Sequence, residues 1–207
     1  SVLNHFLGEI REQDIQKDRL RFRRNIERIG EIMAYEMSKE LDYKSWEIST
    51  PLGVKKSSEI NDKIVICSIL RAGLLLHNGF LNYFDGAENG FISAYRFHPN
   101  NDNDFEIKVE YDAVSDINGG NLILVDPMLA TGQSIVAVFN KLISKGVPKE
   151  IHLAVVIAAP EGINYLESNL PDYCHLWIAS IDERLNEKNY IIPGLGDAGD
   201  LAFGSKL

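Results

Sequence analysis

The residues of this chain best suited to chemistry lie in Asp126-Pro-Met-Leu-Ala-Thr-Gly-Gln-Ser134, between the apolar run Leu122–Val125 and a stretch of helical length. That order builds an anion cradle. Gly132 lets the backbone approach a ligand closely, Thr131 and Ser134 offer hydroxyls, and the first-turn N–H groups of the helix point at whatever lies ahead. Asp126, at the strand tip, can accept hydrogen bonds from sugar hydroxyls. Thr and Ser are also ordinary helix caps, so a Thr-Gly pair alone reads more simply as a capped helix after a strand. No Gly-Lys-Ser/Thr is present, which excludes a Walker A loop.

Two arginines occupy comparable places. The run Ile64–Leu70 ends in Arg71-Ala72-Gly73, and Phe91–Tyr95 ends in Arg96. A guanidinium fork beside small residues suits a polyanion. Either arginine alone reads as a solvated surface charge, but two at neighbouring strand ends beside an anion cradle point to a diphosphate clamp. Near the end of the chain, Gly194, Gly196 and Gly199 punctuate Tyr190–Asp200 and mark a loop with unusual backbone angles. Such a loop can offer bare N–H and C=O groups to a flat ligand with alternating donors and acceptors, or can be a plain surface turn. Asp197 and Asp200 are acidic groups near the phosphate end, where a magnesium ion could link them to substrate, directly or through water.

The elements that must position these residues follow from the apolar pattern. Ile64–Leu70, Phe91–Tyr95, Leu122–Val125, Ile151–Ala159 and His175–Ser180 read as strands buried on both faces. Leu74–Tyr83, Gln133–Ser144 and Glu161–Asn169 have helical length, and Gly146 followed by Pro148 fits a helix end. Alternation of strand and helix predicts an α/β fold with a doubly wound, mostly parallel central sheet flanked by helices. Ligands then sit beyond the carboxyl ends of the strands. Ahead of this core, Arg11 to Leu41 reads as one amphipathic helix, with Phe22, Ile26, Ile29, Met33 and Met37 on one face. Trp46, Ile48 and Thr50, then Pro51-Leu52-Gly53, predict a projecting β-hairpin. The expected organisation is one domain over 1–207, with a helix-and-hairpin arm at 1–62 and a catalytic core at 63–207.

Composition excludes several classes. At 207 residues, 45% hydrophobic and 25% charged, the composition is that of an ordinary globular chain that can bury roughly 70% of its unfolded surface. Cys67 and Cys174 each sit in an apolar run and read as buried thiols, and no His/Cys cluster has the spacing of a zinc site. A net charge of −9 argues against a nucleic-acid partner. No apolar run approaches the roughly 20 residues of a membrane span. The start of the sequence has no basic region followed by an apolar one, so the expected location is the cytoplasm.

Taken together, the segments REQD (11–14), ILRAGL (69–74), YR (95–96), VDPMLATGQS (125–134), AAPEG (158–162), ASID (179–182) with LN (185–186), and YIIPGLGDAGD (190–200) with FG (203–204) resemble the uracil phosphoribosyltransferase family. That family lies within the type I phosphoribosyltransferases. The resemblance implies transfer of a phosphoribosyl group from phosphoribosyl pyrophosphate to uracil, giving UMP, with Mg2+ as cofactor. It implies that Asp126, Pro127, Met128, Leu129, Ala130, Thr131, Gly132, Gln133 and Ser134 form the phosphoribosyl pyrophosphate loop, with Ala130–Ser134 around the 5′-phosphate. Arg71 and Arg96 match arginines on the pyrophosphate side. Ile191, Gly196, Asp197 and Ala198 match the uracil-recognition segment, and Asp197 also matches a residue near the magnesium, reached through substrate or water. The family is commonly dimeric or larger, so a homo-oligomer is expected; GTP binding is a further expectation, and whether GTP regulates the chain is left open by the sequence.

Two positions depart from the family pattern. Many members read TGGS where this chain has Thr131-Gly132-Gln133-Ser134, and many have proline where this chain has Ser68. The stretch Phe97–Asp116 matches poorly, and its polar Asn-Asn-Asp-Asn-Asp tip predicts a mobile hairpin or lid. Two other readings compete: a non-catalytic nucleotide sensor that binds RNA elsewhere, which the acidic charge disfavours, and an enzyme of the same kind acting on a purine.

Overall fold

The central sheet is built from strands whose alternate residues serve two separate cores. In the strand β3 (Ile64–Leu70), Ile64 and Ile66 join one buried cluster, while Val65, Cys67 and Ile69 join another. This is the two-face burial expected of a parallel strand covered by helices on both sides. The structure is a computed structural model that describes residues 1–97 and 106–205, with the backbone alone at 95–97 and 106.

Around β3 run β4 (Glu88–Phe97), β6 (Asn121–Val125), β8 (Glu150–Ala158) and β9 (Cys174–Ile181), all parallel, in the order β4-β3-β6-β8-β9. Only β5 (Glu106–Val114) is antiparallel in this sheet, pairing with β4 at its edge. The short β7 (Met128–Leu129) continues alongside β8 past the end of β6. The helix α3 (Gly73–Leu81) links β3 to β4, α4 (Gln133–Ile143) precedes β8, and α5 (Pro160–Asn169) precedes β9. The strand order reverses between β3 and β6, which makes the ends of those two strands the topological switch point where ligands bind. The α/β architecture agrees with the sequence expectation. One detail differs: β9 lies at the sheet edge and is only partly covered, so it is not buried on both faces. Cys174, at its start, is partly exposed, whereas Cys67 is buried, and both are free thiols.

The single helix expected over Arg11 to Leu41 is two helices, α1 (Val2–Arg11) and α2 (Arg19–Ser38). Capping explains the break. The Glu12 carboxylate accepts the backbone N–H groups of Asp14 and Ile15, both at 2.8 Å, and Asp18 caps α2 by accepting from Leu20 and Arg21. Leu7 and Ile10 then bury α1 against the same core as Phe22 and Ile26 of α2.

The helices α2 and α3 cross at Gly30 and Gly79. A Cβ on Gly79 would stand 2.2 Å from the carbonyl oxygen of Glu27, and one on Gly30 would stand 2.8 Å from that of Leu76. Both obstacles are backbone, so neither can rotate away. Gly79→Ala is therefore expected to destabilise the fold by about 1–3 kcal/mol through overpacking, read as a lower urea midpoint at unchanged slope.

The hairpin β1 (Tyr43–Thr50) and β2 (Gly53–Ile60) pairs in unbroken register from Tyr43 opposite Ile60 to Thr50 opposite Gly53. It projects as expected, with Trp46, Leu52 and Val54 exposed. Its base is fixed by Lys149, which reaches Asp42 at 2.7 Å and Asp62 at 2.6 Å. Among the described residues, no helix is long and apolar enough to cross a membrane. The flanks of the expected Phe97–Asp116 hairpin pair as β4 and β5, and the lid expected at its tip lies outside the described residues.

Candidate functional site

A cleft of about 970 Å³ opens at the switch point. One wall is the segment after β6. The chain leaves β6 at Asp126 and stays hydrogen-bonded to β8: Asp126 donates its N–H to the Ala154 carbonyl, and the Pro127 carbonyl accepts from Val156 and Ile157. This places Asp126, Met128 and Ala130 on the cleft and buries Leu129 in the core behind them. Pro127 and Leu129, expected in the loop, thus hold it to the sheet and do not line the cleft.

Gly132 caps α4 with φ +79, a conformation that glycine tolerates at no cost. Ser134, in the first turn of α4, lines the cleft, whereas Thr131, Gly132 and Gln133 do not. The amide oxygen of Gln133 is buried without a hydrogen-bond partner. From below, α5 supports the turn closely: a Cβ on Gly162 would lie 2.3 Å from the Ala130 carbonyl oxygen. The AAPEG segment therefore ends in glycine because the turn after β7 rests on it.

Arg71 follows β3 across a cis Leu70–Arg71 peptide and lines the opposite wall. Its guanidinium donates to Asp200 at 2.9 Å and to the Gly204 carbonyl at 3.2 Å, while its Nε is buried without a partner. Asp200, expected with Asp197 near the phosphate end, pairs with Arg71. The backbone of Arg96 belongs to β4, opposite Ile107, and its side chain lies outside the described residues.

The third wall is the glycine-rich loop. It contains the short strand β11 (Ile191–Ile192), paired with β10 (Arg184–Leu185), a cis Ile192–Pro193 bond, and positive φ at Gly194 and Gly196. Ile191, Gly196, Asp197 and Ala198 all face the cleft. Asp197 also caps the last helix, α6 (Ala198–Phe203), accepting the Asp200 N–H at 2.8 Å.

Sequence reasoning missed several residues of the cleft wall. Lys188, Asn189 and Tyr190 extend the third wall, and Asn189, at φ +60, marks the turn that brings them there. The Asn186–Asn189 run is a legible turn signal. Ser93 and Ala94 enter at a register shift in β4 that leaves no mark in the sequence.

The electrostatics of the cleft combine the basic side chains of Arg71 and Lys188 with the carboxyls of Asp126 and Asp197. Burial pushes the Asp126 carboxyl up to about 7; the Met128 N–H opposes this, and the charge of Asp197 adds to it. The thiols do the reverse of nucleophile activation: burial pushes Cys67 up to about 12 and Cys174 to about 11. Both stay protonated at neutral pH and serve as packing groups. Burial likewise pushes His152 down to about 4 and lowers His77, so both are neutral. The cleft thus presents an arginine, a lysine, two carboxyl groups and bare backbone, with neither thiol activated as a nucleophile.

Comparison with known proteins agrees with this geometry. The profile of the family described as uracil phosphoribosyltransferase matches residues 1–205. A uracil phosphoribosyltransferase of Porphyromonas gingivalis is 52% identical over 207 residues, covering 100% of this chain and 95% of that protein. One of Dictyoglomus turgidum is 40% identical over 206 residues, covering 99% and 96%. Among solved structures, the AQ2163 protein of Aquifex aeolicus superposes with a TM-score of 0.88 at 30% identity, covering 100% of this chain and 96% of that one. A hypoxanthine phosphoribosyltransferase of Staphylococcus aureus shares the fold alone, with a TM-score of 0.54 at 12% identity over 79% of this chain and 76% of that one. With the cleft at the switch point and the family profile spanning nearly the whole sequence, the chain belongs to the uracil phosphoribosyltransferase family.

Proposed function

We propose that the cleft transfers the phosphoribosyl group of phosphoribosyl pyrophosphate to N1 of uracil, releasing pyrophosphate and giving UMP. The observation that carries this reading is the placement of the Asp126–Ser134 cradle, Arg71 and the Gly196–Ala198 backbone on three walls of one cleft. A phosphorylated sugar, its diphosphate and a flat base need such a set together.

In the reaction the C1′–O bond breaks and the N1–C1′ bond forms, and the N1 proton leaves. The costly charge is that developing on the departing pyrophosphate, so electrostatic stabilisation matters more than a covalent nucleophile. Arg71 and Arg96 bind the diphosphate. The free N–H groups of α4 and the Ser134 hydroxyl hold the 5′-phosphate. Asp126 accepts from the ribose hydroxyls, and backbone groups between Ile191 and Ala198 read the pyrimidine edge. Asp197 serves as base or as the group that orients a water to take the N1 proton.

The residues present also fit a magnesium ion. Asp126 and Asp197 are hard oxygen donors, the charge of Asp197 adding to the upward push on the Asp126 carboxyl, and among the described residues no cluster of three or more ligating side chains forms a cage. A site with one or two carboxylates plus substrate oxygens is the usual setting for this ion. When bound, it would neutralise pyrophosphate charge, with Asp197 holding it through substrate or water.

The exposed faces of the hairpin and the α1–α2 pair suit a second copy of this chain, so a homodimer or larger assembly is part of the reading, as is a cytoplasmic location. The test is pyrophosphate release with uracil, cytosine and hypoxanthine in parallel, with and without GTP. Turnover is expected with uracil alone; activity confined to hypoxanthine overturns the substrate assignment.

A further inference from the structure

Arg11 and Asp182 line no part of the cleft, yet together they hold the loop that forms its third wall. We infer that this pair is the positioning device for the base-recognition segment, setting the affinity for uracil while leaving that for phosphoribosyl pyrophosphate unchanged. The inference rests on the reading of residues 191–198 given above.

The geometry is specific. The guanidinium of Arg11, the last residue of α1, grips Asp182 with both prongs, at 2.8 Å and 2.6 Å. It also donates to the Gly194 carbonyl at 3.0 Å and to the Ser180 hydroxyl at 3.2 Å. The Asp182 carboxylate in turn accepts the Gly194 N–H at 2.8 Å, in a buried bond. The peptide groups on both sides of Gly194 are therefore tied to one ion pair, whose acidic side chain is only 3% exposed. Such paired forks give geometric specificity as well as energy.

Gly194 is where orientation matters. It sits at φ +63, and a Cβ there would lie 2.2 Å from the Ile191 carbonyl oxygen. Two residues later comes Gly196, at φ +94, where an added Cβ would meet nothing within 4 Å. The loop is thus open on its outer side at Gly196. Leu195 is buried in the core and fixes the depth of the loop. The rotation of the two peptides at Gly194, between the strand β11 and the open turn at Gly196, is set by the ion pair. On the pyrophosphate side, Arg71 is held by Asp200 and Gly204 instead, and the phosphate cradle rests on α5. The phosphate cradle therefore has a support separate from that of the Gly194 turn, and this separation makes a selective effect possible.

Arg11→Gln and Asp182→Asn remove the fork from either end, and Arg11→Lys keeps the charge but not the two-pronged grip. In the full-length enzyme, KM for uracil is expected to rise about tenfold in all three, the loss associated with a charge-assisted bond to a positioned group. KM for phosphoribosyl pyrophosphate and kcat should stay within about twofold. A common structural defect would raise both KM values together, and that result overturns the inference. Unchanged uracil KM in Asp182→Asn and Arg11→Lys, at a melting temperature near that of the parent, overturns it as well. Failure of the parent enzyme to use uracil would instead refute the underlying function, so the two failures are distinguishable.

Discussion

Arg71→Ala is expected to lower turnover by about 10²–10³-fold, the usual cost of removing a preorganised charge from a developing anion, with the fold intact. Arg71 is part of the third-wall contact but not of either core. Its side chain is 36% exposed and its partner Asp200 is 41% exposed. An ion pair that open contributes at most about 1 kcal/mol to stability. The large effect should therefore appear in kinetics and not in unfolding. Arg71→Lys separates charge from shape: a lysine supplies a point charge without the planar fork, so it should recover only part of the lost rate. Steady-state pyrophosphate release, alongside far-ultraviolet circular dichroism, checks both. Unchanged kinetics in Arg71→Ala would remove this residue from the diphosphate clamp and leave Arg96 and the cradle to bind the leaving group.

The parts of this molecule that could be read in the sequence are those where local chemistry dictates the answer. Ile64–Leu70 and Leu122–Val125 are apolar on both faces and are each followed by a helix-length stretch, a pattern that a covered parallel strand explains, so both strands and their tips were legible. Gly132 before a helix-length run located the cradle for the same reason. The break between α1 and α2 was not legible as such, because residues 11–18 hold a single apolar residue, Ile15, and so carry no period that could show where one helix ends and the next begins. The turn is made by the side chains of Glu12 and Asp18 competing for backbone N–H groups. The two-residue strand β7 is too short to show any period. The partners of Asp200 and Asp182 were hidden for a different reason. Arg71 lies 129 residues from Asp200, and Arg11 lies 171 residues from Asp182. Residue type announces that an aspartate near a glycine loop is useful, but only the folded chain shows which arginine it meets.

Asp197 offers the other large effect, because one substitution changes its charge while leaving its structural task intact. Asp197 caps α6 through the Asp200 N–H, and asparagine caps a helix about as well as aspartate. Asp197→Asn should therefore fold normally and lose turnover by about 10²-fold if the carboxylate assists the N1 proton or the metal. A second readout follows from its neighbour. Asp126 must be ionised to accept from both ribose hydroxyls, and burial pushes its carboxyl up to about 7, with the Asp197 charge adding to that push. In the parent enzyme kcat/KM for phosphoribosyl pyrophosphate should rise as pH increases through about 7. Stability has the opposite sign: the folded state retains a proton on Asp126 that the unfolded chain, at its ordinary 3.8, has lost. The fold accordingly loses stability as pH climbs from about 4 to about 7, and no further above that. Removing the Asp197 charge takes away one contribution to the raised value, so in Asp197→Asn the acid limb of kcat/KM should move to lower pH even as the plateau falls. A limb that stays near 7 would mean that the two carboxylates do not sense one another across the cleft. Near-parent turnover and unchanged magnesium dependence would exclude an essential carboxylate at this position.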